Sequence, residues 1–371
     1  MTSALQGMRL LMTADAAGGV WTYALDLAGA LFAQGVTVTL AVLGPAPDAG
    51  QRMVAEAVPG LDLRVTGLPL DWLAEGPGPV LAAGEALAAL AREVRADLVH
   101  LNSPAHAAGG GFPAPVLAVS HSCTATWWDA VRGGEMPESF RWRAELLRRG
   151  ALAADLLVVP SEAFAEATAR RYALPRRPVA VHNGRRPMLS ALPPREVPEV
   201  FALTAGRLWD AGKNMEALDR AAARLSLPVL AAGGLDGPDG TRTVLHHLRA
   251  LGSLDEASLA GWLLAQPVYV SPALYEPFGL AVVEAAQAGC PLVLSDIPTF
   301  RELWEGAAIF VPPRDDAAIA RAIADLAKDE AERARLGAAA RARAARYGVT
   351  RMAEAMLALY RGLLMPGSAA A

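Results

Sequence analysis

Pro267-Val268-Tyr269-Val270-Ser271 runs into Pro272-Ala273-Leu274-Tyr275-Glu276-Pro277-Phe278-Gly279, and then into Leu280-Ala281-Val282-Val283-Glu284-Ala285-Ala286-Gln287-Ala288. The first segment is apolar and β-branched at its centre, which suits a strand buried on both faces. The second holds two prolines and a glycine and reads as a loop. The third reads as a helix that is apolar except at Glu284 and Gln287. Strand, loop and helix in this order are the repeating unit of a covered parallel sheet.

The same alternation extends outward in both directions. Strands are expected at Arg9–Thr13, Thr37–Leu43, Leu61–Thr66, Asp97–Leu101, Val116–Ser120, Asp155–Pro160 and Val179–His182. Further strands are expected at Val200–Ala205, Pro228–Ala232, Pro291–Ser295 and Ala308–Val311. Helices are expected at Val20–Gln34, Leu81–Arg95, Glu138–Ala153, Ser161–Tyr172, Met215–Leu225, Asp255–Ala265 and Asp316–Ala327, and from Lys328 to about Leu364. Ser161 is placed to cap its helix. Between Pro175 and Pro198 six prolines and several arginines interrupt the pattern, which marks a linker. The fold class is α/β: two Rossmann-like, doubly wound domains facing a cleft. The boundaries are 1–184, a linker at 185–198, and 199–349. Ligands in such sheets sit at the carboxyl ends of the strands.

The composition narrows the function. The chain has 371 residues, enough for about two domains. It is 53% apolar with a net charge of −4, which excludes a disordered chain and argues against a general nucleic-acid binder. Cys123 and Cys290 form no disulfide framework and no zinc pattern. No segment reads as a signal peptide or a membrane span. The expected location is cytoplasmic, with peripheral contact to the inner membrane face left open.

Lys213 and Lys328 are the two lysines among 34 basic residues. Lys213 closes Gly206-Arg207-Leu208-Trp209-Asp210-Ala211-Gly212-Lys213-Asn214, directly after a strand. Arg207 and Lys213 therefore face the ligand side of the sheet, where a phosphate is their natural partner; an ordinary solvated loop is the alternative. The turn at Gly279 opens a helix whose first N–H groups make an anion site. Glu276 precedes that helix and could accept from sugar hydroxyls. Glu284, on an apolar helix, needs a partner, and a ribose diol is a good one. A capping carboxylate and a structural ion pair are the respective alternatives.

Together, GRLWDAGKN and the E-x7-E pair inside EPFGLAVVEA resemble the retaining, glycogen-synthase-like group of glycosyltransferases with the GT-B fold. The resemblance spans nearly the whole chain. It implies a sugar moved from a nucleoside diphosphate sugar to an acceptor hydroxyl with retention, without a metal or other cofactor. It assigns Arg207 and Lys213 to the donor diphosphate. Glu276 and the Phe278–Leu280 backbone, through Gly279, are assigned to the transferred sugar, and Glu284 to the ribose. It implies that residues 1–184 bind the acceptor and 199–349 the donor, and that a last helix at about 350–366 returns to the first domain. Asp15-Ala16-Ala17-Gly18-Gly19-Val20 resembles the glycine loop of the group, giving Gly18 and Gly19 a place near the donor. His121 corresponds to a histidine that contacts the donor sugar. The residues nominated for catalysis are thus Glu276, Arg207, Lys213 and His121. Ser295–Glu302 matches a loop expected to pack beside the donor, and the loops near Gly233-Gly234 and Leu251-Gly252 would meet the base.

Other features stay open. Trp127-Trp128 suits a sugar-stacking surface or a core. Residues 141–195 hold eleven arginines against four acidic residues; they suit an anionic acceptor, an anionic membrane or plain solvation. Asp236, Asp239 and Asp315-Asp316 make no D-x-D motif, so no metal site is expected. The acceptor is a saccharide, a lipid-linked sugar or a small molecule. A GT-B epimerase or phosphorylase is the alternative function, although Lys328 is poorly placed for a pyridoxal phosphate. A non-catalytic two-domain sugar-binding protein and a nicotinamide dehydrogenase fit less well.

Overall fold

The computed structural model describes residues 5–188, 191, 194–238 and 240–365. The chain divides into two units, one formed by Met1–Gly184 with Val349–Ala371 and the other by Arg185–Gly348. In the first, β1 (Arg9–Asp15), β2 (Thr37–Leu43), β3 (Leu61–Val65), β4 (Leu98–Leu101), β5 (Val116–Val119), β6 (Leu156–Val159) and β7 (Val179–Ala180) form one sheet. Its order is β3-β2-β1-β4-β5-β6-β7, and every pairing is parallel. In the second, β8 (Ala202–Ala205), β9 (Val229–Ala232), β10 (Arg249–Gly252), β11 (Val268–Ser271), β12 (Leu292–Ser295) and β13 (Ile309–Val311) form a parallel sheet of order β10-β9-β8-β11-β12-β13.

Both faces of each sheet are covered, and successive residues serve opposite faces. Leu10 and Met12 pack with the helices Gly19–Phe32 and Val349–Leu364, whereas Leu11 packs with Leu87 and Ala91 of the helix Pro77–Glu93. In the second unit Leu203, Tyr269 and Leu292 pack with the helix Leu280–Ala288. There, Ala202, Val268 and Val293 pack with the helices Met215–Ala222 and Asp316–Lys328. The chain order reverses on either side of β1, toward β2 and β4, and again on either side of β8, toward β9 and β11. Those two positions are the topological switch points, where loops diverge and leave a crevice.

The α/β, two-sheet fold class is the one the sequence implied, and the last helix does join the core of the first unit through Met352, Met356, Leu357 and Tyr360. Ser161 caps as expected, accepting from Phe164 N at 3.2 Å. Several local features differ. Leu251-Gly252, read as a loop, ends the edge strand β10. The helices Ala49–Glu56, Thr124–Val131 and Pro298–Trp304 were not anticipated. The expected helix after Lys328 is broken at 345–348 into Glu330–Ala344 and Val349–Leu364. Arg185, read as the first linker residue, is 3% exposed inside the second unit. Positions 189, 190, 192 and 193 of the expected linker, Asp239, and position 366 of the last helix lie outside the described residues.

Candidate active site

At the switch point of the second unit, the loops after β8 and β11 meet. Gly212 O accepts from Leu274 N at 2.8 Å and from Tyr275 N at 3.3 Å. Asn214, at φ +60°, donates to Pro272 O at 2.8 Å and Pro313 O at 2.7 Å, tying three loops together. An asparagine tolerates that left-handed backbone better than most residues. The result brings Lys213 Nζ within 2.5 Å of Glu276 Oε2, both side chains being largely buried. Arg207 lies on the same loop, 3.5 Å from Asp210 and stacked at 5.6 Å over Trp209, with its side chain 42% exposed.

Gly279 caps the helix Leu280–Ala288 at φ +96°. A Cβ there would lie 3.3 Å from Glu276 Cγ and Phe300 Cε1, a tight fit, and the left-handed backbone itself calls for glycine. The Phe278 ring turns into the core, edge-on to Tyr347 at 5.6 Å. Phe300, from the segment Ser295–Glu302, packs under Gly279. Gly233 sits so close to Gly206 that a Cβ would lie 1.8 Å from its carbonyl oxygen, which locks the ends of β8 and β9 together. Buried Tyr269 donates to Ala205 O at 3.3 Å; burial and then the Glu284 and Glu276 carboxylates push its hydroxyl well above the usual range.

Glu284 meets a partner the sequence did not suggest. Arg185 Nε lies 2.7 Å from its Oε1, and the same guanidinium reaches Glu256 at 2.9 Å. Arg185 is anchored further by its backbone N–H to Tyr347 O at 2.9 Å and by its carbonyl, which accepts from Gln287 Nε2 at 3.1 Å. The ion-pair alternative for Glu284 is thus present in the fold. Arg185 and Asn214 are the residues of this cluster to which the sequence reading gave no role, although Asn214 stood in the quoted motif. The Lys-Asn dipeptide before a helix was a usable signal for Asn214; nothing local pointed to Arg185.

Gly18, Gly19 and His121 belong to the first unit, not to this cluster. Gly18 and Gly19 open the helix after β1, in a loop braced by Ala17 N to Asp15 Oδ1 at 2.9 Å and by Gln51 Nε2 to Ala16 O at 2.8 Å. His121 follows β5 and is half-buried, edge-on to Tyr23 at 4.5 Å. Its Nε2 lies 2.8 Å from Asn102 Oδ1.

Residues 17–187 match the family described as Glycosyltransferase Family 4, and residues 240–343 match Glycosyl transferases group 1. The chain belongs to the group 1 glycosyltransferases of the GT-B fold. It is similar to a phosphatidyl-myo-inositol mannosyltransferase of Mycobacterium leprae, 33% identical over 128 residues, a stretch that spans 34% of this chain and 34% of that enzyme. It is 28% identical over 393 aligned positions to a D-inositol 3-phosphate glycosyltransferase of Xylanimonas cellulosilytica, covering 93% of this chain and 91% of the relative. Its fold matches that of Anabaena HepE, solved in complex with UDP-glucose, with a TM-score of 0.74 at 19% identity, over 96% of this chain and all of that one.

In this glycosyltransferase the open features of the sequence take ordinary places. Trp127 and Trp128 are half-buried 6.4 Å apart, and Trp128 packs on Phe140 at 5.6 Å. Many arginines of residues 141–195 have partners: Arg170 with Glu166, Arg177 with Glu162, Arg171 with Asp129, and Arg143 with Ala74 O. Among the described residues no helix is long and apolar enough to cross a membrane.

Proposed function

We propose that this glycosyltransferase moves a sugar from a nucleoside diphosphate sugar to an acceptor hydroxyl with retention of configuration and without a divalent metal. The observation that carries the reading is the Lys213–Glu276 pair at 2.5 Å on the β8/β11 switch point. It sets a cation suited to phosphate beside a carboxylate suited to sugar hydroxyls, at the mouth of a helix whose first N–H groups favour an anion. An ammonium has three N–H donors, so the bond to Glu276 is compatible with a phosphate contact.

As the glycosidic bond breaks, charge grows on the leaving diphosphate. Arg207, Lys213 and the helix N-terminus at Gly279 compensate it, the task a divalent ion performs elsewhere, and such preorganised charge acts on the transition state. Glu276 and the Phe278–Leu280 backbone hold the transferred sugar. Glu284 takes the ribose, its carboxylate oriented by Arg185. The first unit supplies the acceptor contacts and His121. HepE, whose fold is shared, was solved with UDP-glucose. Two relatives are named for inositol-bearing acceptors, which makes an inositol phosphate the first acceptor to try among saccharide, lipid-linked and small-molecule acceptors.

The test is a thermal-shift panel of UDP, GDP, ADP and dTDP with their common sugars, followed by turnover with the best donor. A ligand that binds only the folded chain raises its melting temperature by mass action. Glu276→Ala is expected to lower turnover about 100-fold while free nucleoside diphosphate binds nearly as before. Unchanged turnover would remove Glu276 from the sugar site. Activity that EDTA abolishes and Mg²⁺ restores would overturn the metal-free reading.

A further inference from the structure

At the other switch point, in the first unit, a closed chain of hydrogen bonds runs behind His121. Asn102 follows β4 and is buried. Its Nδ2 lies 2.6 Å from Thr13 O, and its backbone N–H donates to Thr13 Oγ1 at 2.8 Å. A carbonyl can only accept, so the amide nitrogen faces Thr13 and the amide oxygen faces the other way. That oxygen lies 2.8 Å from His121 Nε2 and 3.1 Å from His100 Nε2. An amide oxygen can only accept as well, so both imidazoles present Nε2–H to it. His100 Nδ1 is then an acceptor, and the Tyr360 hydroxyl donates to it at 2.6 Å. His100 and Tyr360 are fully buried, and burial holds the Tyr360 hydroxyl well above its usual pKa, so it remains a donor.

We propose that Asn102 fixes His121 as its Nε2–H tautomer, so that His121 meets a hydroxyl of the bound sugar as a hydrogen-bond acceptor through Nδ1. Asn102 is the positioning residue; His100 and Tyr360 hold its oxygen in line. Burial lowers His100 to about 4. Burial, and then the neighbouring His100, lowers His121 to about 3. Both shifts favour the neutral rings at pH 7, in which His121 Nδ1 is free of a proton and can accept from a hydroxyl. Tyr360 also gives the last helix a role beyond apolar packing: it is linked to His121 through His100 and Asn102.

The sugar contact rests on the function proposed above, whereas the tautomer does not, and the experiment separates them. Full-length ¹⁵N-labelled protein has six histidines, whose imidazole nitrogens are followed by long-range ¹H–¹⁵N correlation. His121→Ala and His100→Gln assign the two rings. The expected spectrum shows His121 with a protonated Nε2 and a bare Nδ1, unchanged between about pH 6 and 8. A protonated Nδ1, or two averaged nitrogens, would overturn the proposal even if the enzyme is active. Asn102→Ala is expected to average the two His121 nitrogens and to lower kcat/KM with the best donor by about tenfold, the loss of one oriented hydrogen bond. Averaged nitrogens with unchanged kcat/KM would overturn the positioning role. If Asn102→Ala fails to fold, Tyr360→Phe decides: His100 Nδ1 should lose its donor and shift while His121 keeps its tautomer. An unchanged His100 signal would break the chain. If no nucleotide sugar binds at all, the function falls and the tautomer still stands or falls on the spectrum.

Discussion

The β1/β4 switch point holds neutral groups: Asn102 accepts from two imidazoles and Tyr360 completes the set. The β8/β11 switch point holds charges: Lys213 meets Glu276, and the helix that follows carries Glu284 against Arg185. The two sheets share a strand order around these points, so topology does not account for the difference. Burial and partners do. A neutral hydrogen-bond set orients hydroxyls without creating a field, whereas paired charges at a helix N-terminus create one. On the function proposed above, the first suits an uncharged sugar and the second a diphosphate whose charge grows during reaction.

Four experiments sharpen or break that contrast. The largest effect is expected for Lys213→Ala. It should lower kcat/KM by about 100- to 1,000-fold and erase the thermal shift from nucleoside diphosphate but not from nucleoside. Equal loss of both shifts would point to a folding defect, not a lost phosphate contact. Next, Arg185→Met removes the guanidinium 2.7 Å from the largely buried Glu284 carboxylate and should destabilise the second unit by about 3 kcal/mol in denaturant unfolding. Adding Glu284→Gln should recover part of that loss; no recovery would mean that the pair is incidental.

The third concerns acid. His100 titrates near 4 in the fold against about 6.5 when unfolded. Below 6.5 the unfolded chain takes the proton first, so this contribution is complete above that pH and is lost as pH falls toward 4. It amounts to about 2 kcal/mol by pH 5. Unfolding of the first unit at pH 7 and pH 5 should show the loss, and His100→Gln should reduce it. The smallest effect is at the caps: Asp255→Ala, which removes an acceptor 2.7 Å from Ser258 N, should cost about 1 kcal/mol and leave activity intact.

The charged switch point was largely legible in the sequence. Lys213 and Glu276 stand on loops bounded by strong strand signals, and a lysine is scarce enough in this chain to attract attention. The neutral one was not. His100 and Tyr360 are 260 positions apart, and no local pattern joins them. Arg185 was hidden in a proline-rich stretch, because what buries it are Glu256 and Glu284, far along the chain. β10 was missed because Arg249-Ala250-Leu251-Gly252 lies at the sheet edge, largely exposed, and shows no run of buried residues. The helix Ala49–Glu56 is short and buries little beyond Ala55, so it offered few core positions to read, although its Asp48 and Gln51 capping box was readable. By contrast, strands buried on both faces, such as Thr37–Leu43, were placed to the residue.

The first unit takes its last helix from residues made after the whole of the second. During synthesis residues 185–348 form a contiguous unit that can close on itself, while the earlier sheet waits for Met352, Met356, Leu357 and Tyr360 to fill its core. The core of the first unit is thus completed by the last residues translated, although its sheet is translated first. A chain cut short at the start of the helix Val349–Leu364 would keep every residue of the second unit and leave the first without the side chains that complete its core, an apolar surface open to chaperones and proteases.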